Sequence, residues 1–402
     1  MKRIVSLLMV AAMILSCVAL TACGGEETAK QLDVDADFKV GFIFLHDENS
    51  TYDKNFLDAA KAATKALGLS DEQVLIKTNI PETNECYEAA ANLVDAGCDV
   101  IFADSFGHED FMIQAAKEFP EVVFAHATGT KAHTENLPNY YNAFASIYEG
   151  RFLVGVAAGL KLNEMIESGE ITADEAKMGY VGAYPYAEVK SGYTSFFLGA
   201  RSVCPSVTMD VKFTNSWFDI AAEKEMANAL IADGCVLISQ HADSEGAPKA
   251  CEEAGVPNVA YNLDTREWGP NTALISSKIN WQPYFEHLIT SAQKGEAVTQ
   301  DFCGGLEEDV VQILGLNDKV AAEGTEAKLE EVKAKLIAGE IKVFDTATFT
   351  VKGETLTTYL ADVDSDAAFT PDTEVVADGY FHESEKRSAP YFDIDIDGIT
   401  IK

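Results

Sequence analysis

Basic residues are scarce in this 402-residue chain: 30 Lys and Arg stand against 65 Asp and Glu, a formal charge of −35. No stretch gathers Lys or Arg into a patch. Nucleic acid is therefore excluded as a partner for the surface as a whole, and so is anionic lipid, because both are repelled before contact forms. Catalytic signatures are missing too: there is no Gly-x-Ser-x-Gly elbow, Walker loop or Gly-x-Gly-x-x-Gly fingerprint. His46-Asp47-Glu48, His108-Glu109-Asp110 and the pair His126 and His133 look like metal donors in isolation, but none has the His-Glu-x-x-His spacing that puts two imidazoles on one helical face. Polar loop ends on an acidic protein account for them, so no metal or cofactor is expected. His108 and His126 remain available as donors to a solute.

None of the eight cysteines forms a Cys-x-x-Cys pair. Cys86, Cys98, Cys204, Cys235, Cys251 and Cys303 are scattered over a long stretch and read mainly as core thiols, with a Cys235 to Cys251 bridge left open. The other two lie at the N-terminus, where the chain has its one long apolar run. Lys2 and Arg3 precede Ile4 to Leu20, which ends in Leu20-Thr21-Ala22-Cys23. Charge, apolar run and small residues in that order form an export signal, too short for a retained span. Cys23 stands where a bacterial lipobox places its lipidated cysteine, so residues 1–22 are expected to be cleaved and residues 23–37 to form a polar tether from the lipid anchor. The expected location is the extracytoplasmic face of the cell membrane.

With 47% hydrophobic and 24% charged residues, the remainder has the composition of a globular protein with two or three packed units. Lys39 to Leu45 (KVGFIFL), Val74 to Lys77, Asp99 to Ala103 and Glu121 to Ala125 are short apolar runs without polar alternation. Helical stretches separate them, at Lys54 to Leu67, Glu85 to Asp95 and Glu109 to Phe119. Such strands belong to a parallel sheet covered on both faces. After a long helix from Tyr148 the rhythm restarts, with strands at Met178 to Val181, Val207 to Phe213, Val236 to Gln240, Asn258 to Tyr261 and Ala273 to Ser276. The pattern predicts an α/β protein of two doubly wound lobes: 38–147 as lobe 1, 148–280 as lobe 2, 281–340 as a return segment to lobe 1 and 341–402 as a small α+β extension. In that extension Lys342 to Phe344 and Thr348 to Val351 look like strands, and Phe392 to Ile401 (FDIDIDGITI) reads as a strand with one wet face.

In open α/β sheets ligands bind beyond the C-terminal ends of the strands. Here those ends combine aromatic rings with carboxylates, hydroxyls and amides, as in Asp104-Ser105-Phe106, Tyr184-Pro185-Tyr186, Asn215-Ser216-Trp217, His241-Ala242-Asp243 and Asn262-Leu263-Asp264. Rings sandwich a planar face and carboxylates accept from hydroxyl or amine hydrogens.

The lipobox, KVGFIFLHDENSTYDKNF, FADSFGHEDF, HATGTKAH, YEGRFLVGVAAG, VGAYPYAEV, TNSWFD and SQHADSEGAP, together with GVPNVAYN, resemble the BMP family of lipoproteins. These are substrate-binding proteins of ABC importers, related to purine nucleoside receptors. The resemblance implies a type I periplasmic-binding-protein fold, hinged near Phe144 to Tyr148 and Ser277 to Trp281. It implies capture of a purine nucleoside or related heterocycle between the lobes and delivery to an ABC permease, without catalysis. It also places Asp53 and Phe56 in the family's Asp-Lys-Ser-Phe-Asn motif, after Tyr52, although Asn55 and Leu57 replace its serine and asparagine. Phe106 and Trp217 fall in stacking slots and Asp243 in that of a binding carboxylate, while Asn262 stands where relatives hold ribose with an acid.

Each residue also has a plainer reading. Phe56 shares an apolar helical face with core alanines, Trp217 can roof the core, Tyr184 can pack at the hinge, and Asp53, Asp219 and Asp243 can cap helices. Two other functions stay open: an extracellular nucleoside hydrolase, and a structural surface lipoprotein.

Overall fold

The computed structural model describes residues 35–363, 368 and 370–402; Cys23 and the signal lie outside them. Two sheets carry the architecture. The first contains β1 (Val40–Ile43), β2 (Val74–Lys77), β3 (Val100–Ala103), β4 (Val123–Ala127) and β5 (Tyr140–Ala145) in the order 2-1-3-4-5, all parallel. Its residues alternate between two cores. Val40, Phe42 and Phe102 face α1 (Thr51–Leu67), while Ile43, Ile101 and Phe124 face α2 (Asn84–Asp95) and α3 (Glu109–Glu118). Burial on both faces is why these strands lack polar alternation.

After a short α4 (Ala132–Glu135), the chain leaves this lobe through α5 (Ile147–Glu167). The second sheet repeats the order with β6 (Lys177–Gly182), β7 (Thr208–Phe213), β8 (Leu237–Gln240), β9 (Asn258–Tyr261) and β10 (Ala273–Ile279), arranged 7-6-8-9-10. Its helices are α6 (Ala187–Val203), α7 (Ile220–Ala232) and α8 (Gly246–Ala254). Helices α5 and α6 approach to backbone contact: a Cβ on Gly199 would lie 2.0 Å from the Phe152 carbonyl oxygen, and one on Gly155 2.1 Å from that of Phe196. Those glycines set the helix spacing.

Residues 281–340, expected to return as a whole to lobe 1, divide between the lobes. Helix α9 (Gln282–Lys294) packs on α1, and β11 (Asp301–Gly304) adds a parallel strand beside β5. The chain then crosses back: β12 (Val311–Leu314) pairs antiparallel with β10, and α10 (Thr325–Ile337) packs on α5. Three crossovers therefore join the lobes, at 145–147, 279–282 and 304–311, one more than the sequence predicts. Asn55 braces the second by donating to the Ile279 carbonyl at 2.7 Å.

The extension contains little regular structure. Two-residue strand pairs form β13 (Leu360–Ala361) with β14 (Thr373–Glu374) and β15 (Val376–Ala377) with β16 (Tyr380–Phe381). Lys342 to Phe344 and Thr348 to Val351 are not strands, because Phe344 and Phe349 are drawn into an aromatic cluster with Phe381 and Phe392 instead of into a ladder. Phe392, Ile394 and Ile396 are buried while Asp393 and Asp395 reach Lys190 at 2.8 and 3.2 Å, so the alternation is kept although only β17 (Ile399–Ile401) pairs, beside β7. The extension also holds lobe 1, where Ser388 N–H donates to Asp301. All six described cysteines are free thiols, Cys235 and Cys251 included.

Candidate functional site

A small cavity, partly open to solvent, lies between the lobes at the C-terminal ends of both sheets. Leu45, Tyr52, Asp53, Ser105, Phe106 and Thr128 line it from lobe 1; Glu188, Trp217, His241 and Asp243 close it from lobe 2. The lobes touch around it. Thr51 N–H donates to the Asp243 carbonyl at 2.8 Å, the His46 and Phe218 rings lie 5.5 Å apart, and Phe106 meets Tyr186 at 5.3 Å.

The first turn of α1 delivers Tyr52 and Asp53. Ser50 caps the helix, its Oγ accepting from Asp53 N–H at 3.2 Å and donating to Asp53 Oδ2 at 2.5 Å. The other Asp53 oxygen accepts from His46 N–H at 2.6 Å. Asp53 therefore ties the β1–α1 loop together. Tyr52 donates to the Asp104 carbonyl at 2.8 Å. Burial beside Asp53 raises the Asp104 carboxyl well above the ordinary carboxylate range. His108 and His126 are not solute donors: each is buried with Nε2 on a backbone carbonyl, Ile80 at 2.9 Å and Ser105 at 2.6 Å. Desolvation pushes both imidazoles down to about 4. No group of metal-binding side chains occurs among the described residues.

The wall from lobe 2 differs. The Asp243 carboxyl is buried with no hydrogen-bond donor among the described residues, and desolvation raises it well above the ordinary range, with Glu223, Asp53 and Glu188 adding to the effect. Its backbone is fixed: Asp243 N–H donates to Trp217 O, and the buried Glu223 accepts from Ser244 N–H at 3.0 Å and Asp219 N–H at 3.1 Å. Trp217 is half-buried, edge-on to Tyr184 at 5.0 Å, and Tyr184 stacks on Tyr186. Phe106, 42% exposed, completes the ring series across the cleft.

A family model described as "ABC transporter substrate-binding protein PnrA-like" matches residues 42–347. The chain belongs to this family. Its members are substrate-binding components of transporters, which act outside the cytoplasm, and not enzymes. A purine-binding protein of Brucella abortus is 32% identical over 350 residues, 85% of this chain and 93% of its own. A Haloferax volcanii protein named for glucose binding by an ABC transporter is 34% identical over 247 residues, 61% of this chain and 57% of its own. The fold matches a solved ABC transporter solute-binding protein of Aeropyrum pernix with a TM-score of 0.64 at 18% identity, over 76% of this chain and 93% of that one. No helix among the described residues is long and apolar enough to cross a membrane.

Of the positions that the family resemblance singles out, the structure brings Tyr52, Asp53, Phe106, Trp217 and Asp243 to one cavity. Phe56 is elsewhere: one turn further along α1 it is fully buried, stacked on Trp281 at 4.4 Å, because only the helix's first turn reaches the cleft. Tyr184 supports Trp217 without lining the wall. Asn262 turns away with φ +68° into a separate groove beside Asn55, Trp268 and Lys278. Asp219 caps α7 by accepting from Ala222 N–H at 2.9 Å. Thr128 and Glu188 are not singled out by the sequence, and His241 stands there only as a member of a strand end. Thr128, β-branched yet at φ +65°, marks stored strain at the cavity that no local pattern announces.

Proposed function

We propose that this protein captures a planar, polar heterocycle, a purine nucleobase or nucleoside, and hands it unaltered to an ABC permease. The observation carrying this reading is the donor-less, buried Asp243 carboxyl beside Phe106 and Trp217. Removing a carboxyl from water without a partner is costly, and a ligand N–H or O–H repays it. Flat rings on either side suit a planar guest. The seam contacts, Thr51 to Asp243 and Phe106 to Tyr186, form only when the lobes meet, so a guest favours closure to the extent that it adds contacts there. In this reading Cys23 carries the lipid that keeps the receptor at the membrane beside its permease. Displacement of Asn262 from the cavity favours a nucleobase over a ribose-bound ligand.

Calorimetric titration with adenine, hypoxanthine, their nucleosides and glucose tests this, with chromatography of the mixtures afterwards. Saturable purine binding with no free base released from nucleosides is expected. No binding across the panel, or cleavage, overturns it. Glucose is included because the name of the Haloferax volcanii relative, matched over 57% of its length, and the carboxylates over aromatic rings also fit a hexose; binding of glucose alone replaces the purine reading.

A further inference from the structure

Behind the wall contributed by lobe 2 lies a buried cation without a carboxylate. Arg151, on α5, is fully buried, and no ion pair reaches it among the described residues. Its guanidinium lies 3.8 Å from the centre of the Tyr261 ring, and Nη1 donates to the Gln240 carbonyl at 3.2 Å. Nη2 points at Nδ1 of His241, 3.3 Å away. Guanidinium has no acceptor, so Nδ1 must be the unprotonated ring nitrogen. The Tyr180 hydroxyl, also 3.3 Å from Nδ1, is free to donate to it as well. The ring's single hydrogen then sits on Nε2, which meets Glu188 Oε1 at 3.3 Å. Glu188 lines the cavity. Burial and the neighbouring Arg151 lower the His241 pKa, in keeping with a neutral ring. Space for the imidazole is reserved by Gly192, where a Cβ would lie 2.9 Å from Nδ1.

We infer that Arg151, through His241, is a positioning residue that holds Glu188 as a hydrogen-bond acceptor toward the solute, so that this wall selects heterocycles presenting an amino group over those presenting a carbonyl oxygen. The inference deepens the purine reading and rests on it for the ligand. Adenine offers an exocyclic amino donor where hypoxanthine offers an oxygen, and an oxygen set against the Glu188 acceptor leaves both unpaired.

Two measurements on the full-length protein decide the matter. The first is nitrogen NMR of histidine-labelled protein, with His241→Gln assigning the signal. Nδ1 of His241 is expected at the unprotonated position and Nε2 at the protonated one, with Arg151→Met giving a mixture of tautomers and Arg151→Lys restoring the single form in part. The second is the ratio of adenine to hypoxanthine affinity. It is expected to favour adenine in the wild type and to fall about tenfold in Glu188→Gln, because a hydrogen bond to a charged group is at stake. Glu188 lies on the first turn of α6 and glutamine keeps its shape and one acceptor oxygen, so this variant decides the question even where Arg151→Met does not fold. A hydrogen on Nδ1 in the wild type, or an unchanged ratio in Glu188→Gln, overturns the inference. Failure of every purine to bind overturns the purine reading and the selectivity with it, whereas the NMR signature still reports on the Arg151–His241 contact alone.

Discussion

The two walls of the cavity are built from the same residue types but to different ends. In lobe 1 the polar groups serve the protein: Asp53 binds Ser50 and His46, Tyr52 binds the Asp104 backbone, and His108 and His126 are committed to carbonyls. In lobe 2 the carboxyl of Asp243 and one oxygen of Glu188 have no partner among the described residues, while Glu223 and His241 hold the backbone and side chain behind them. What lobe 1 leaves unpaired, Asp104 Oδ2 and Nδ1 of His108 and His126, is buried behind the wall, whereas Asp243 and Glu188 line the cavity itself. A carboxylate beside a cavity is therefore informative only once its hydrogen bonds are counted.

Five substitutions test that contrast, beginning with the largest effects. Asp53→Ala is expected to destabilise the fold by roughly 3 kcal/mol, because hydrogen bonds to a buried acid from Ser50 and His46 are lost together. Urea unfolding measures it, and a loss confined to ligand affinity would erase the difference between the walls. Glu223 titrates near 7, raised by burial. A raised carboxyl stabilises the fold while protonated and loses that advantage as pH climbs from its ordinary value to the raised one. Glu223→Gln should therefore gain on the wild type between about pH 4.5 and 7, by on the order of 3 kcal/mol. Melting curves at pH 5 and pH 8 supply the comparison; a constant gap would mean that the carboxyl is not strained by burial. Trp217→Ala should weaken ligand binding by about 2 kcal/mol, and the more exposed Phe106→Ala by nearer 1. Unchanged titrations for both would remove the stacking assignment. Asp243→Asn is expected to lower affinity about tenfold, more for hydroxylated ligands than for bare bases, and to leave the melting temperature unchanged or raised, since it spares the cost of a buried acid. A fall in melting temperature would place Asp243 with the scaffold groups of the other wall.

The rhythm of the lobes is legible because four-residue apolar strands buried on both faces leave an unambiguous pattern. The third crossover is not, since β11 and β12 are short and half-buried, and DFCG and VQIL resemble ordinary loop sequence. Strand-end logic locates Phe106, Trp217 and Asp243 because their position depends on topology alone. It mistakes Asn262, whose left-handed backbone swings the side chain aside, and the family motif misplaces Phe56, whose position depends on how far α1 runs from the cleft. Arg151 is invisible to it, and His241, though at a strand end, carries no local sign of its part. In a helix of small residues Arg151 reads as incidental, and its partner lies 90 positions away.

The extension reaches both halves at once: Ser388 to Asp301 on one side, Lys190 to Asp393 and β17 on the other. Its aromatic cluster, with Phe344 against Tyr148, sits over the first crossover. Parting the jaws must stretch or shed those attachments, so residues 341–402 act as a leash on the gape. A segment outside the cavity thus couples the two lobes that form it.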